Sequence, residues 1–468
     1  MKLTTLGHAC IFVETPDCRV LMDPVLWDPH QEGLFHIYPA REIVHEELPP
    51  LDLLVVTHRH MDHLHIRSLA QLPRDVDVVI PRDPLIEKVL RTLGYRHIHP
   101  LAPLESFSIG STRFLTTPSD ARVVEVGLVV ADPSGSLWNA VDTWLNFETI
   151  ARVKQTFGGI DLFLATWQPM LEVEYQWNQS VEFPRERYEK LLQHVAALKP
   201  RVTVPGSNGF VYCGPSAWLN RIVFPVPRAR FCADVADLLA QEGCAGCEAF
   251  AMDPGDRADI DGGRVTVERR ASPFVARLHE YGDDRRFSPV DLDGRMQDAP
   301  VDGVAPGAVR EAIEDELFRA LPAALNDAPS DPPSDPFQLH RQLRWTQQIE
   351  VVFPAERLVC VIDFSKSPIT VTRGASELAA DHVYITATAL YGILTRTRTW
   401  DYAIMGGFYR RFQTRSVADG PPVDPLLHRH SEPLLQEAIV ELELEQWKAS
   451  RPLSAGSGRH QITVHESR

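Results

Sequence analysis

The sequence LDLLVVTHRHMDHLH, at residues 51–65, places a short apolar run directly before a dense group of polar side chains. Four consecutive apolar residues, 53–56, predict a strand that is buried on both faces. The polar group offers four potential metal ligands within six residues: His58, His60, Asp62 and His63. Because alternate residues of an extended chain share a face, the first two histidines can point at one spot. The other two ligands follow a bend and can reach a second spot close by.

These ligand types indicate a catalytic metal site. Imidazole and carboxylate bind zinc, iron or manganese, and no thiolate stands among them. The carboxyl end of a buried strand is also where α/β proteins place their active sites. The alternative is a surface loop that happens to be rich in histidine. His65, two residues farther on, is either a hydrogen-bond partner of a ligand or a histidine on a helix face.

Three motifs together resemble the metallo-β-lactamase-fold superfamily. HxHxDH follows the predicted buried strand, LGHA occupies residues 6–9, and RVLMDP occupies residues 19–24. The resemblance covers roughly residues 1–215 and implies an α/β fold, an αββα sandwich. In the superfamily, a strand followed by Asp-Thr supplies an aspartate that bridges two metals, which implies this role for Asp142. The alternative is that Asp142 caps the helix that begins near Phe147.

The chain departs from the superfamily at two places where a histidine ligand is expected. No histidine occurs from residue 101 to residue 141, so Asp120 is the first candidate for the missing ligand and Glu125 the second. Either one makes a site of two histidines and one carboxylate, the pattern of non-heme iron sites that activate O2. The last histidine is also absent, because Gly-Ser-Asn-Gly follows the predicted strand 201–205. The second metal then has an open position, which favours O2 binding over hydrolysis.

This pattern resembles the diiron oxygenases of antibiotic biosynthesis, of the kind found in the chloramphenicol and platensimycin pathways. The resemblance implies two iron ions, O2 as co-substrate, and hydroxylation of a carbon centre in a hydrophobic substrate. That substrate is acyl or terpenoid-like, either free or thioester-linked. We expect His58, His60 and Asp120 to bind one iron, Asp62 and His63 to bind the other, and Asp142 to bridge them. The electron donor must be external, because the sequence has no flavin, nicotinamide or iron–sulfur motif.

Two other functions stay open at this point. One is a zinc- or manganese-dependent hydrolase of the lactonase or phosphodiesterase type. The other is a protein that binds lipophilic ligands and carries a vestigial metal site. Aromatic residues after the predicted strand 162–166 are candidates for substrate binding, with ordinary packing as the alternative: Trp167, Tyr175 and Trp177. The long segment at residues 24–50 either walls the substrate site or packs on the surface.

The chain divides into four predicted regions. Residues 1–270 form the catalytic domain, 271–340 a connecting region with a Pro-rich linker, 341–450 a smaller α+β domain, and 451–468 a flexible tail. The order of strands and helices in 341–450 resembles a sterol-carrier-type domain, and a similar tail occurs in the sialic-acid hydroxylase branch of the superfamily. This resemblance implies a lid or an apolar tunnel, with a stabilising or dimerisation domain as the alternative.

Composition limits the partners and the compartment. The 468 residues carry a net charge of −16, which argues against a nucleic-acid or anionic-membrane partner. The sequence has no apolar run long enough for a membrane span and no signal-peptide pattern, so we expect a cytoplasmic protein. Seven scattered cysteines fit reduced thiols, and the isolated CxxC at 244–247 is a weak signal for metal or redox chemistry. Whether the chain forms a homo-oligomer is left open.

Overall fold

A computed structural model describes residues 1–121, 123–177, 182–244, 246–278, 296–300, 303–327, 335–415, 417, 422–430, 434–452 and 462–465. The strands up to residue 277 are β1 Lys2–Gly7, β2 Cys10–Glu14, β3 Arg19–Met22, β4 Phe35–Ile37, β5 Arg41–Ile43, β6 Leu53–Val55, β7 Asp77–Pro81, β8 His97–Leu101, β9 Ser106–Ile109, β10 Thr112–Pro118, β11 Val126–Asp132, β12 Gly135–Asn139, β13 Leu162–Ala165, β14 Val202–Pro205, β15 Phe210–Tyr212, β16 Glu248–Ala249, β17 Arg257–Asp261, β18 Arg264–Glu268 and β19 Val275–Arg277. The helices of this part are α1 Ile66–Leu69, α2 Pro84–Leu93, α3 Phe147–Phe157, α4 Glu172–Gln176, α5 Arg185–Leu198 and α6 Arg228–Gln241.

The rest of the chain adds a second set of elements. Its helices are α7 Pro306–Asp315, α8 Leu321–Asp327, α9 Gln338–Leu343, α10 Ala387–Leu394, α11 Trp400–Met405, α12 Pro425–Arg429 and α13 Leu434–Trp447. A π-helical turn, Glu316–Ala320, joins α7 to α8. The strands are β20 Thr346–Val352, β21 Arg357–Asp363, β22 Thr370–Arg373, β23 Asp381–Thr386, β24 Tyr409–Gln413 and β25 Thr463–His465.

Two eight-stranded sheets form the first part of the chain. Their strand orders are β18-β17-β1-β2-β3-β6-β7-β8 and β16-β14-β13-β12-β11-β10-β9-β25. Apolar side chains from both sheets make one shared layer between them, with Val20 and Val55 from the first sheet and Leu128 and Leu164 from the second. One outer face packs against α1, α2 and α13, and the other against α3, α5 and α6. The predicted α/β architecture, an αββα sandwich, is confirmed.

Buried parallel strands deliver the polar motif to one end of the sandwich. Strand β6 lies between β3 and β7 in parallel register, and all three of its residues are buried. This matches the prediction of a strand buried on both faces, and the HxHxDH residues follow it directly. In the second sheet, β12, β13 and β14 are also parallel, so the loops after them gather at one edge.

The later region is an α+β unit that shares a core with the sandwich. Its five-stranded sheet has the order β22-β21-β20-β23-β24, in which β20 and β23 are parallel. Trp345, Ile349 and Val383 from this unit lie in one apolar cluster with Phe210 and Phe224 from the sandwich. Its α+β class agrees with the sequence, while its likeness to sterol-carrier domains stays a prediction.

Three features of the fold were not predicted from the sequence. The charged and Gly-rich stretch after residue 254 contains the hairpin β17–β18, which extends the first sheet by pairing with β1. Strand β25, in the predicted flexible tail, pairs with β9, although residues 453–461 and 466–468 lie outside the described ranges. Residues 24–50 contain β4 and β5, which pair with β15 and β19. Within the described ranges, no helix has the length and apolar character needed to cross a bilayer.

Candidate metal centre

Four side chains converge at the end of the sandwich where these loops meet. His8, Asp62, His63 and Asp142 each offer one ligand atom, and these atoms lie within 4.8 Å of one another. His8 Nε2 is 3.2 Å from Asp62 Oδ2 and 3.2 Å from His63 Nε2, while His63 Nε2 is 3.1 Å from Asp142 Oδ2. Two imidazoles and two carboxylates with converging lone pairs can hold a metal ion. The structure thus brings together Asp62, His63 and Asp142, as the sequence predicted, and adds His8.

Unusual backbone at the loops aims two of these ligands. His8 follows β1 with φ +51°, and Val141, directly before Asp142, has φ +55°. Both values lie in the left-handed region, which non-glycine residues seldom adopt. Gly209 permits the close approach at His8, because a Cβ atom there would lie 2.7 Å from the His8 backbone nitrogen. Strained backbone therefore occurs at two of the positions where these side chains converge.

Asp23 fixes the orientation of His63. This fully buried aspartate accepts hydrogen bonds from the Thr57 backbone N–H at 2.8 Å and from the Thr57 hydroxyl at 2.7 Å. Its Oδ2 also lies 3.0 Å from His63 Nδ1. A carboxylate behind one ring nitrogen sets the tautomer and turns the other nitrogen toward a metal. The aspartate of the RVLMDP motif therefore supports the centre from behind.

The negative charges around His63 favour binding of a cation. Burial opposes a charge on this imidazole, but Asp62, Asp142 and Asp23 together raise the pKa of His63 well above its usual range. Burial likewise opposes the charge on Asp62 and Asp142, yet the neighbouring His63 lowers the pKa of both carboxyls. Three carboxylates surround one buried ring, so a bound metal ion would take over the positive charge that a proton otherwise supplies.

His58 and His60 lie beside this cluster. The His58 ring lies 4.0 Å from the His63 ring and 4.6 Å from the His60 ring, measured between centroids. Burial, followed by the charges of His63 and His60, lowers the pKa of His58 well below its usual range. Its Nε2 atom is buried without a hydrogen-bond partner. A neutral buried imidazole with an unused lone pair is suited to bind a second metal.

The two carboxylates predicted to complete a site with His58 and His60 have different surroundings. Asp120 is exposed, and its Oδ1 accepts a hydrogen bond from Asn146 Nδ2 at 3.0 Å. Glu125 is buried, its Oε2 accepts from the Ser119 hydroxyl at 3.1 Å, and its Oε1 has no hydrogen-bond partner. Burial, followed by the charge of Asp142, raises the pKa of Glu125 to about 8. Glu125 is therefore buried within reach of the charges of Asp142 and His63, whereas Asp120 is exposed.

The structure also decides between two alternatives from the sequence. Helix α3 is capped by Asn146, whose Oδ1 accepts from the Thr149 backbone N–H at 2.8 Å, so Asp142 does not cap it. His65 is buried at the start of α1, where its Nδ1 lies 2.7 Å from the Ser68 hydroxyl oxygen. Asp142 is therefore not used as a helix cap and lies in the His/Asp cluster. His65 contacts a residue of its own helix and supports the local structure.

The aromatic residues predicted to bind substrate have structural contacts. Trp167 is 1% exposed and its Nε1 donates to the Ser207 carbonyl at 2.7 Å. Tyr175 is also 1% exposed, and its hydroxyl donates to the Gly407 carbonyl of the α+β unit at 3.0 Å. Trp177 lies against Arg411, 5.6 Å from ring centroid to guanidinium carbon. For Trp167 and Tyr175 the packing alternative is the one that the structure supports, because neither ring is accessible.

His8 is the functional residue that the sequence argument missed. It lies in the LGHA motif, which contributed to the resemblance without being given a ligand role. Where the superfamily's last histidine is absent, Asn208 Nδ2 lies 3.5 Å from Asp142 Oδ1. In the sequence, His8 could be noticed as a histidine that follows a glycine at the end of the first strand. The contact between this turn and the HxHxDH loop is seen only in the folded structure.

Comparisons with known proteins agree with the fold. A family model described as Beta-lactamase superfamily domain matches residues 18–205. A 4-amino-L-phenylalanyl-(CmlP-peptidyl-carrier-protein) 3-hydroxylase from Streptomyces venezuelae is 30% identical over 128 residues, which cover 25% of this chain and 23% of that protein. The chain covers between 23% and 63% of the length of the first four curated relatives.

Two solved structures are similar to part of this chain. The diiron beta-hydroxylase CmlA from Streptomyces venezuelae is 20% identical, with a TM-score of 0.38 over 57% of this chain and 53% of that chain. The isothiocyanate hydrolase from Delia radicum gut bacteria is 16% identical, with a TM-score of 0.38 over 56% of this chain and 100% of that chain. The αββα sandwich and the family match together show that this chain contains a beta-lactamase-fold domain.

Proposed function

We propose that this protein is a non-heme diiron oxygenase that hydroxylates a carbon centre of a hydrophobic substrate. The observation that carries the proposal is the buried carboxyl group of Glu125. This residue directly precedes Val126, whose backbone N–H donates to the Thr57 carbonyl, one residue before His58, at 3.2 Å. With His58 and His60, Glu125 would make a set of two histidines and one carboxylate. That set with open positions is typical of Fe(II) sites that react with O2.

The remaining ligands define a second iron site. Asp62, His63, His8 and Asp142 would hold the second iron. We assign Asp142 as the ligand that the two sites would share. This assignment keeps five of the six ligands predicted from the sequence, replaces Asp120 by Glu125 and adds His8. Bound iron, once reduced, supplies the O2-activating chemistry. The overall reaction inserts one oxygen atom into a C–H bond, and two electrons and two protons convert the other oxygen atom to water, so an external electron donor is required.

Glu125 carries a proton at the first site, and Ser119 positions its carboxyl group. Glu125 holds a proton on its carboxyl group at neutral pH when no metal is bound, because burial and Asp142 raise its pKa to about 8. Metal binding would release that proton, since the ligand must be ionised. The Ser119 hydroxyl donates to Glu125 Oε2 and accepts from the Trp144 backbone N–H at 2.9 Å. Ser119 therefore holds the carboxyl group in place.

Exposed apolar side chains beside these ligands favour a hydrophobic substrate. Trp144 is 68% exposed and follows Asp142 by two residues, while Val124 directly precedes Glu125 and is 45% exposed. Phe147, in the first turn of α3, is 50% exposed. Large exposed apolar groups at a site rim are typical of ligand-binding surfaces. The hydroxylase relative acts on a carrier-bound aminophenylalanyl group, which supports an aryl or acyl substrate in thioester linkage for this chain.

Metal analysis and a comparison of two variants test the proposal. Protein produced in iron-rich medium should contain about two irons per chain, with a visible absorption that changes on reduction and on exposure to O2. Glu125→Gln should lose iron from the first site and O2 consumption with it. Asp120→Asn is the matched control and should keep both. Iron content unchanged in Glu125→Gln but reduced in Asp120→Asn would overturn the ligand assignment.

A zinc- or manganese-dependent hydrolase is the second candidate function. The favouring observation is the set of two histidines and two aspartates around one position, which suits zinc and an activated water as well as iron. Protein that binds zinc or manganese, shows no visible absorption and cleaves esters or phosphodiesters in a substrate panel would support this function over oxygenation. Protein that takes up no metal would instead support a lipophilic-ligand-binding protein.

A further inference from the structure

Two cysteines outside the metal centre lie in direct contact. Cys244 and Cys247 occupy the turn between α6 and β16, and their Sγ atoms are 2.9 Å apart. Two glycines with left-handed backbone, Gly243 and Gly246, let the chain fold back so that the thiols meet. A disulfide bond is about 2.05 Å long, so the two sulfurs need to close by less than about 1 Å.

This thiol pair lies at the opposite end of the second sheet from the metal ligands. Cys247 directly precedes β16, whose Glu248 pairs with Val202 at the start of β14. Asp142, in contrast, follows the carboxyl end of β12, which is parallel to β13 and β14. Among the described residues, the cluster of His, Cys, Asp and Glu that could hold a metal is the one at His8, so the thiol pair has no further ligands of that kind.

The surroundings distinguish the two thiols. Cys247 donates its S–H to Cys244 Sγ, and burial, followed by this hydrogen bond, raises the pKa of Cys247 to about 11. Lys199 and Arg201 act in the opposite direction, since their positive charges favour a thiolate at this turn. Both thiols are partly exposed, in contrast to the buried Cys10, Cys18, Cys232 and Cys360. A partly exposed thiol that accepts a hydrogen bond from a second thiol is the arrangement of reactive CxxC pairs.

We propose that Cys244 and Cys247 form a redox-active site that exchanges with low-molecular-weight disulfides such as glutathione disulfide. The Cys244 thiolate attacks one sulfur of glutathione disulfide, which forms a mixed disulfide and releases one glutathione thiolate. The Cys247 thiol then loses its proton and attacks Cys244 Sγ, which forms the protein disulfide and releases the second glutathione thiolate. The protein dithiol is oxidised by two electrons, glutathione disulfide is reduced to two thiols, and an excess of glutathione reverses both steps. This inference does not depend on the proposed oxygenase function.

Mass spectrometry of the full-length protein tests the proposal. Reduced protein is incubated with glutathione disulfide, quenched with N-ethylmaleimide in denaturant so that buried thiols also react, and digested with trypsin. The peptide at residues 231–257 contains both cysteines together with Cys232, and it should appear two hydrogens lighter, with a single maleimide group on Cys232. Excess reduced glutathione should restore three maleimide groups. Cys247→Ser should stop at a glutathione adduct on Cys244, because the second thiol is missing.

Cys213→Ser is the matched control. Cys213 is also partly exposed, but its Sγ contacts the Gly33 carbonyl oxygen at 3.1 Å and no second thiol, so its removal should leave the 244–247 disulfide unchanged. Equal melting temperatures of the reduced variants show that they are folded. Wild-type protein in which both thiols stay open to N-ethylmaleimide, or in which glutathione stays on Cys244 without release, would overturn the proposal.

Discussion

Replacing Asp23 by asparagine removes the charge that holds His63 in position. Asp23 is fully buried and meets three hydrogen-bond donors, two from Thr57 and one at His63 Nδ1. An asparagine side chain is nearly the same size, but one of its two oxygens becomes an NH2 group, which only donates. At least one of the three donors then faces another donor in a buried site. The ring of His63 loses the partner that directs its Nε2 toward Asp142.

The size of the effect follows from this geometry. Loss of the carboxylate behind a metal-bound histidine typically lowers metal affinity by about 10- to 100-fold. That range corresponds to about 1.4–2.7 kcal/mol of binding free energy. We expect the loss at the site of His8, Asp62, His63 and Asp142, and a smaller effect at His58 and His60, because Asp23 makes no hydrogen bond to them among the described contacts.

A competition titration measures the change. Metal-free protein is titrated with Zn2+ in the presence of a chromophoric chelator, and the two binding steps are fitted separately. Asp77→Asn is the control, because Asp77 is another buried aspartate that contacts a histidine, at 2.7 Å from His99 Nε2, on strands β7 and β8. Zinc affinity that is unchanged in Asp23→Asn, or reduced equally in both variants, would refute the orienting role of Asp23.

Three further predictions concern pH, the contact between domains and the rim of the site. The Glu125 carboxyl has its pKa raised from 4.5 to about 8 in the folded state, so metal-free protein should lose stability as pH rises through that window. Melting temperatures at pH 5 and pH 9 should therefore differ less in Glu125→Gln than in wild type; an equal difference contradicts this. Tyr175→Phe removes a buried hydrogen bond to Gly407 and should cost about 1 kcal/mol in urea unfolding, with metal content unchanged; a loss of metal would contradict its structural role. Trp144→Ala should raise KM for an apolar substrate while metal content stays the same, and an unchanged KM would place the substrate elsewhere.

Much of the fold and part of the metal centre could be predicted from local sequence. The apolar run before His58 determines a buried strand, and the alternation of residues after it places ligands of the right chemistry at the strand's end. Asp142 was predicted from the resemblance to the superfamily, in which a strand followed by Asp-Thr supplies an aspartate at this place. Helix α2 begins after its N-cap, Asp83, and ends before Gly94, and such signals can be read from the sequence because capping groups act within a single turn.

The tertiary structure decided which distant residues meet. His8 joins the centre because β1 and β6 lie in one sheet and because Gly209 lets the His8 backbone come close. Neither of these long-range contacts can be predicted from the residues of the HxHxDH stretch. Asp120 and Glu125 are five residues apart on one loop, and only the packed sheet leaves the first exposed and buries the second. Tyr175 looks like a substrate residue in the sequence but is covered by the α+β unit. Residue type and local spacing therefore predicted which kinds of side chain could hold a metal in this protein. Burial and long-range contact, which depend on how the sheets close, decided which side chains complete the site.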